Sequence, residues 1–337
     1  MNLAAALVLL VALAVSAAIL LVVVAMVWWV DRYDREPLHL VVMVFLWGAS
    51  AAPLISVVIF GVIDRLLGGF DAITASGLIS LGLVTPMVEE VSKAVAVVLV
   101  VVFSSKFDNP TDGVVYGTAV GLGFAVSENV IYGISAGVHL RSAAGILVLV
   151  GGRTLLSAGV HAVSSATFGG FLGHAAMSGK LPAKTLWAAT GLLAAVVLHG
   201  SWNLSLMWFG PVGEGGAPRL WLAALPVLYL GYVITLALVL HSEHRILKRQ
   251  LGDEVELGLI PSWVLDVIPF YRRRVRANWW PSRRERTVIA RLLTRMAFRK
   301  HAVRNLSPGE AAIASLEVVK LRQRLREILD PEDPEPT

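Results

Sequence analysis

Residues Gly77–Phe103 read GLISLGLVTPMVEEVSKAVAVVLVVVF, an apolar stretch of membrane-spanning length with Glu89, Glu90 and Lys93 in its middle. An ionised side chain at the centre of a bilayer costs about 2.5–3.5 kcal/mol on insertion scales. Three of them within little more than one helical turn would be expensive against lipid, so this stretch predicts a spanning helix with a polar interior face. Chemistry is then expected inside the membrane.

The rest of the chain agrees with a membrane assignment. Of its 337 residues 56% are hydrophobic and 16% charged, against about 25% charged in soluble domains, and the mean hydropathy is +0.71. Cysteine is absent, which excludes disulfides, thiolate metal sites and a cysteine nucleophile. A metal here would need histidine and carboxylate ligands.

Apolar windows of about 20 residues recur at 3–30, 38–63, 77–103, 112–135, 143–173, 182–208 and 220–242. The expected fold is therefore all-α, a polytopic membrane bundle of about seven transmembrane helices. The first window lacks the basic start of a signal peptide and is far longer than its apolar region, so it reads as a retained anchor.

Orientation follows from the basic residues between windows. One set of loops carries Arg32, Arg35, Lys106, Lys180 and Lys184, the other Arg65, Arg141 and Arg219. From Glu243 onward there are 19 Lys plus Arg and 13 Asp plus Glu, while residues 1–242 hold 10 and 11. The richer set shares its side with the tail, which predicts a multi-pass cell-membrane protein with its N-terminus outside and its C-terminus cytoplasmic.

Three regions follow: a membrane unit at 1–242, a basic, partly helical cytoplasmic tail at 243–329, and an acidic, proline-rich end at 330–337 that composition predicts to be disordered. Two helices are expected in the tail, at 283–301 and 308–329. The second opens on Ser307-Pro308-Gly309-Glu310, an N-cap, a first-turn proline and a capping-box glutamate. The block Tyr271-Arg272-Arg273-Arg274-Val275-Arg276, followed by Trp279 and Trp280, is expected to contact anionic lipid headgroups. No nucleic acid partner is expected.

Within the spans each polar group has a bland reading. Glu89 and Lys93 stand four residues apart in the favoured order for a helical ion pair, which would leave Glu90, turned by about 100°, unexplained. Glu128, one turn past Phe124, could serve as a hydrogen-bond acceptor between helices. Arg153, Ser157 and His161 follow at four-residue steps, and a lone histidine is more often a packing residue. His199 and Asn203 lie one turn apart, so the amide is placed to hold one ring nitrogen and leave the other for a metal or a water. In combination, carboxylates and imidazoles on four consecutive helices can converge on one point of a bundle, the makeup of a water-activating site.

Glu89-Glu90-x-x-Lys93, Phe124-x-x-x-Glu128-Asn129, the segment from Arg153 to His161 and His199-x-x-x-Asn203 resemble, in order and on successive helices, the motifs of the PrsW intramembrane protease family. That family is related to the CAAX prenyl endopeptidases and the bacterial CPBP proteins. The Asp31-Arg32-Tyr33-Asp34-Arg35-Glu36-Pro37 loop is similar too, so the resemblance covers roughly residues 30–210. It implies hydrolysis of a peptide bond in or beside the bilayer, in a membrane-anchored protein such as an anti-sigma factor.

The candidate catalytic set is Glu89, Glu90, Glu128, His161 and His199, supported by Lys93, Asn129, Arg153 and Asn203. A glutamate would act as general base on water, with the histidines holding a metal or orienting that water. Zinc with one open position would suit Glu128, His161 and His199, and a metal-free site is equally compatible. Helix pairing of Glu89 with Lys93 would free Glu90 as the base, whereas the resemblance favours Glu89. The competing classes are a proton- or cation-coupled transporter, for which the paired halves of such folds are not found, and a non-catalytic membrane interaction protein.

Overall fold

The computed structural model describes residues 3–33, 35–67, 79–104, 107, 109–139, 142–209, 218–276, 278–304 and 306–329. These form helices and no strands. The acidic end at 330–337 lies outside the described residues.

The spanning helices begin with α1 (Leu3–Val30), α2 (Leu38–Ala49) and α3 (Ala51–Leu67). The second window is thus two helices rather than one. Pro53 is the cause: it has no N–H to offer the carbonyl of Ala49, and its ring opposes that carbonyl, so the chain breaks at Ser50, whose N–H turns back to Trp47 O. A π-helical turn, Ser80–Val84, runs into α4 (Thr85–Phe103), and α5 covers Pro110–His139. Next, α6 (Ala143–Gly152) passes through a second π turn, Arg153–Ser157, into α7 (Ala158–Ala176), and α8 (Leu181–Phe209) and α9 (Pro218–Glu256) complete the bundle. Among the described residues six stretches are long and apolar enough to cross a membrane. The helix with Glu89, Glu90 and Lys93 stands apart from the six through its charges, and counting it restores seven.

At the centre is α5, with 72% of its spanning window buried against 11–33% in the other five. Its small residues explain how it is enclosed. A Cβ placed on Gly113, Gly117 or Gly121 would lie 1.9, 2.2 or 2.4 Å from the backbone oxygens of Gly169, Ser165 and His161 on α7. Only glycine allows that approach, the small-residue packing by which membrane helices associate. Gly121→Val is therefore expected to push α7 off α5 at a cost of about 1–3 kcal/mol and to move His161 from its partners. Melting in detergent, compared with Gly151→Val at a site where an added Cβ meets nothing within 4 Å, checks this. Equal melting temperatures would refute it.

At 39 residues, α9 is about 58 Å long at 1.5 Å per residue, far more than a hydrocarbon layer of about 30 Å. The expected boundary at 243 therefore falls inside one continuous helix. Its final turns, with fully buried Leu247 and Leu251, carry the tail: α10 (Val264–Val267), α11 (Tyr271–Arg276), α12 (Arg283–Val303) and α13 (Pro308–Ile328). They enclose a second apolar core with Ile289, Leu293, Met296 and Leu325. Arg322 forks onto buried Glu254 at 2.6 and 2.7 Å, and Lys300 reaches the same carboxylate at 2.9 Å.

The capping box at Ser307 is formed, and Lys184 at the start of α8 also reaches Glu310, 3.0 Å away. The Ser307 hydroxyl, then Lys184, hold the Glu310 carboxyl down to about 2. Trp279 and Trp280 correct one expectation. They are buried in the tail core beside Trp263, because α12 and α13 supply an apolar surface that covers them. They are not lipid anchors.

Candidate active site

Glu89 and Glu90 lie on adjacent faces of α4, one turn after the π turn, a feature frequent at functional sites. Both are buried. Glu90 is fully engaged: Oε1 accepts from Lys93 Nζ at 2.7 Å and meets His199 Nδ1 at 2.9 Å, while Oε2 accepts from Ser165 Oγ at 3.0 Å. The expected pairing of Lys93 with Glu89 is thus corrected. Positions three and four residues apart are both within reach on a helix, and Ser165 of α7 and His199 of α8 gather around the second carboxylate. Glu89 stays free of the lysine: its Oε2 is buried without a hydrogen-bond partner among the described residues, 3.6 Å from His199 Nε2.

Lys93 is completely buried. Besides Glu90, its ammonium faces His161 Nδ1 at 3.0 Å and lies 4.2 Å from the centre of the Phe124 ring, a cation–π contact strengthened by desolvation.

Glu128 of α5 meets two groups of the helix opposite, His161 Nε2 in a close contact and Arg153 Nη2 at 3.0 Å. In regular helix, eight residues would leave Arg153 and His161 about 80° apart. The π turn between them turns less per residue and brings both toward one carboxylate. Arg153 also stacks 3.8 Å over the Tyr132 ring. Asn129 points to a different group, donating to Ser16 Oγ at 2.9 Å and Thr154 Oγ1 at 3.1 Å, where it ties α5 to α1 and to the π turn. The expectation that Asn203 holds His199 is corrected as well: Glu90 occupies the Nδ1 side of the ring.

The partners decide the ring tautomers. An ammonium has only donors, so His161 Nδ1 accepts from Lys93 and its ring proton belongs on Nε2, toward Glu128. At His199 the carboxylate of Glu90 accepts from Nδ1, leaving the Nε2 lone pair directed at Glu89. The two rings meet edge-on, 4.6 Å between centroids. One histidine therefore carries its ring proton toward Glu128 and the other presents a lone pair toward Glu89.

Metal-ligand atoms of Glu89, His161 and His199 all lie within 4.8 Å of one another, and Glu128 adjoins them through His161. Two imidazoles and two carboxylates, with an unpartnered Glu89 oxygen among them, fit a divalent cation such as zinc. Ser165 was not singled out in the sequence. Its signal was its place one turn beyond His161 on the same face.

Comparison with known proteins agrees with this chemistry. A family described as PrsW family intramembrane metalloprotease matches residues 36–240. Protease PrsW of Geobacillus kaustophilus is 33% identical over 177 residues, 52% of this chain and 71% of the relative. That of Bacillus subtilis is 31% identical over 179 residues, 52% and 73%, and that of Clostridioides difficile 29% over 194 residues, 56% and 77%. No solved structure matches.

Proposed function

This chain belongs to the PrsW family of intramembrane metalloproteases, and we propose that within it Glu89 is the general base that activates water against a substrate peptide bond. The observation that carries this is the buried, unpartnered Glu89 oxygen facing the Nε2 side of a histidine whose other nitrogen is held by Glu90. Glu89 takes a proton from water as the water oxygen attacks the peptide carbonyl carbon. In the metal-free course the Nε2–H of His161 then donates to the oxyanion, and Glu89 returns the proton to the amine nitrogen as the C–N bond breaks. Glu90 and Lys93 set the two imidazoles, Arg153 sets Glu128, and Asn129 and Asn203 act only on helix packing.

The ligands we assign to a metal are His199, Glu128 and, through Nε2, His161 in the tautomer that has taken a proton at Nδ1 from Lys93 and released its Nε2 proton to solvent. When bound, the metal would polarise the carbonyl and lower the proton affinity of water. His199→Ala should then remove bound zinc and cleavage together, whereas Asn203→Ala should leave zinc affinity within about threefold, well short of the 10–100-fold typical of a group that orients a ligand. Metal content by mass spectrometry, paired with cleavage of a single-span peptide, reads both. Full activity after exhaustive chelation would select the metal-free course.

The substrate class we infer is a protein anchored in the same bilayer. Residues 1–242 form the proteolytic unit, and the tail at 243–329 faces the cytoplasm, with the acidic end at 330–337 beyond it. The loop-charge asymmetry supports this orientation, and the exposed cations of the Arg272–Arg276 block favour anionic lipid.

A further inference from the structure

We propose that a cavity between the Asp31–Pro37 loop and the tail is a binding site for a ligand carrying two or more phosphate groups. The cavity, about 610 Å³, is lined by Arg32 and Arg35 of the loop, Arg274 of α11, and Arg283, Arg286 and Arg291 of α12. The two groups lie some 240 residues apart in sequence, so the cluster is a product of the fold. Its size falls within the roughly 300–1,000 Å³ of small-ligand sites.

Arginines on a protein surface ordinarily spread into solvent or pair with carboxylates. Here Arg32, Arg35, Arg283 and Arg291 have no carboxylate partner among the described residues. Like charges gathered in one concavity repel.

Several are also held in place by neutral groups. Arg32 lies over the rings of Trp29 and Tyr271, at 5.5 and 5.2 Å. Arg35 lies 5.3 Å over Trp28 and donates to the Tyr271 hydroxyl at 3.2 Å. Arg274 donates to Thr294 Oγ1 at 3.1 Å, and Arg286 to Asn278 Oδ1 at 2.7 Å. Ordering guanidinium groups in advance reduces the entropy lost on binding, and their planar forks match phosphate oxygens two at a time. One phosphate would not compensate all of Arg32, Arg35, Arg283 and Arg291, which points to a multiply charged ligand.

The wall of the cavity starts two residues beyond the end of α1 at Val30, at the level where a spanning helix leaves the bilayer. The same chemistry is available from a diphosphate lipid headgroup or from a soluble polyphosphate. Either would join the tail to a loop already stapled to it by Tyr33, which donates to Pro269 O at 2.9 Å. That loop also carries Glu36, which accepts from Tyr116 of α5 at 2.6 Å, so the ligand would bear on the helix that holds Glu128.

The test uses the full chain in phosphatidylcholine nanodiscs. Inorganic triphosphate is titrated in one arm, and cardiolipin is included in the discs in the other, with intrinsic tryptophan fluorescence and thermal unfolding as readouts. Saturable binding in the first arm assigns a soluble polyphosphate, and cardiolipin-dependent stabilisation in the second assigns a headgroup. Either supports the site provided that Arg283→Ala with Arg291→Ala weakens it by about 10–100-fold, the loss expected for charge-assisted hydrogen bonds. The charge-matched pair Arg324→Ala with Arg326→Ala on α13 should leave it unchanged. No response in either arm, equal losses in both variants, or binding of a short single-stranded RNA in place of both probes would overturn the proposal. As a check independent of folding yield, Arg291→Lys should keep the charge and still lose affinity through the broken fork.

Discussion

Glu89→Gln is expected to lower cleavage of a spanning peptide by about 10²–10⁴-fold, the usual contribution of a positioned general base, while the protein folds as before. The amide is nearly the same size, and the carboxylate oxygen it replaces has no hydrogen bond to lose among the described residues. Single-turnover cleavage by purified protein, with melting measured on the same sample, separates chemistry from stability. The metal content of that variant also divides two roles. Retained zinc with lost turnover marks Glu89 as the base, and joint loss would make it a ligand in place of Glu128. Cleavage at the wild-type rate would refute the proposed mechanism.

Glu90→Gln is expected to lose activity for a different reason and at a larger cost to the fold. It leaves the Lys93 ammonium, with no exposure to solvent, opposite a neutral amide, and it removes the charged partner of His199. Breaking a buried ion pair by removing one member costs about 3–5 kcal/mol, so monodisperse yield and melting temperature should both fall. Replacing both members, Glu90→Gln with Lys93→Met, should recover most of the stability because no unpaired charge remains, yet should not recover cleavage. If Glu89→Gln proves the destabilising substitution and Glu90→Gln the silent one, the assignment of the lysine to Glu90 is wrong.

How much of this was legible in the sequence differs from residue to residue. The cost of a charge in lipid marks Glu89, Glu90, Lys93, Glu128, Arg153, His161 and His199 as inward-facing, and the structure brings all seven to one region of α4, α5, the second π turn, α7 and α8. The start of α13 at Ser307 followed from a rule local to a few residues. The break at Ser50 was also local, since Pro53 announces it, but the hydropathy of the second window concealed it.

The sequence by itself determined that this is a helical membrane protein with buried carboxylates and imidazoles on successive spans, because length, hydropathy and charge cost act along the chain without regard to neighbours. Only the tertiary structure decided which carboxylate takes the lysine and which ring nitrogens remain available. Positions three and four residues apart are nearly equivalent on one helix, and the choice rests with Ser165 and His199 arriving from two others. It also decided that Trp279 and Trp280 are core residues and that arginines some 240 positions apart share a cavity, since contacts at such separation are set by how helices pack.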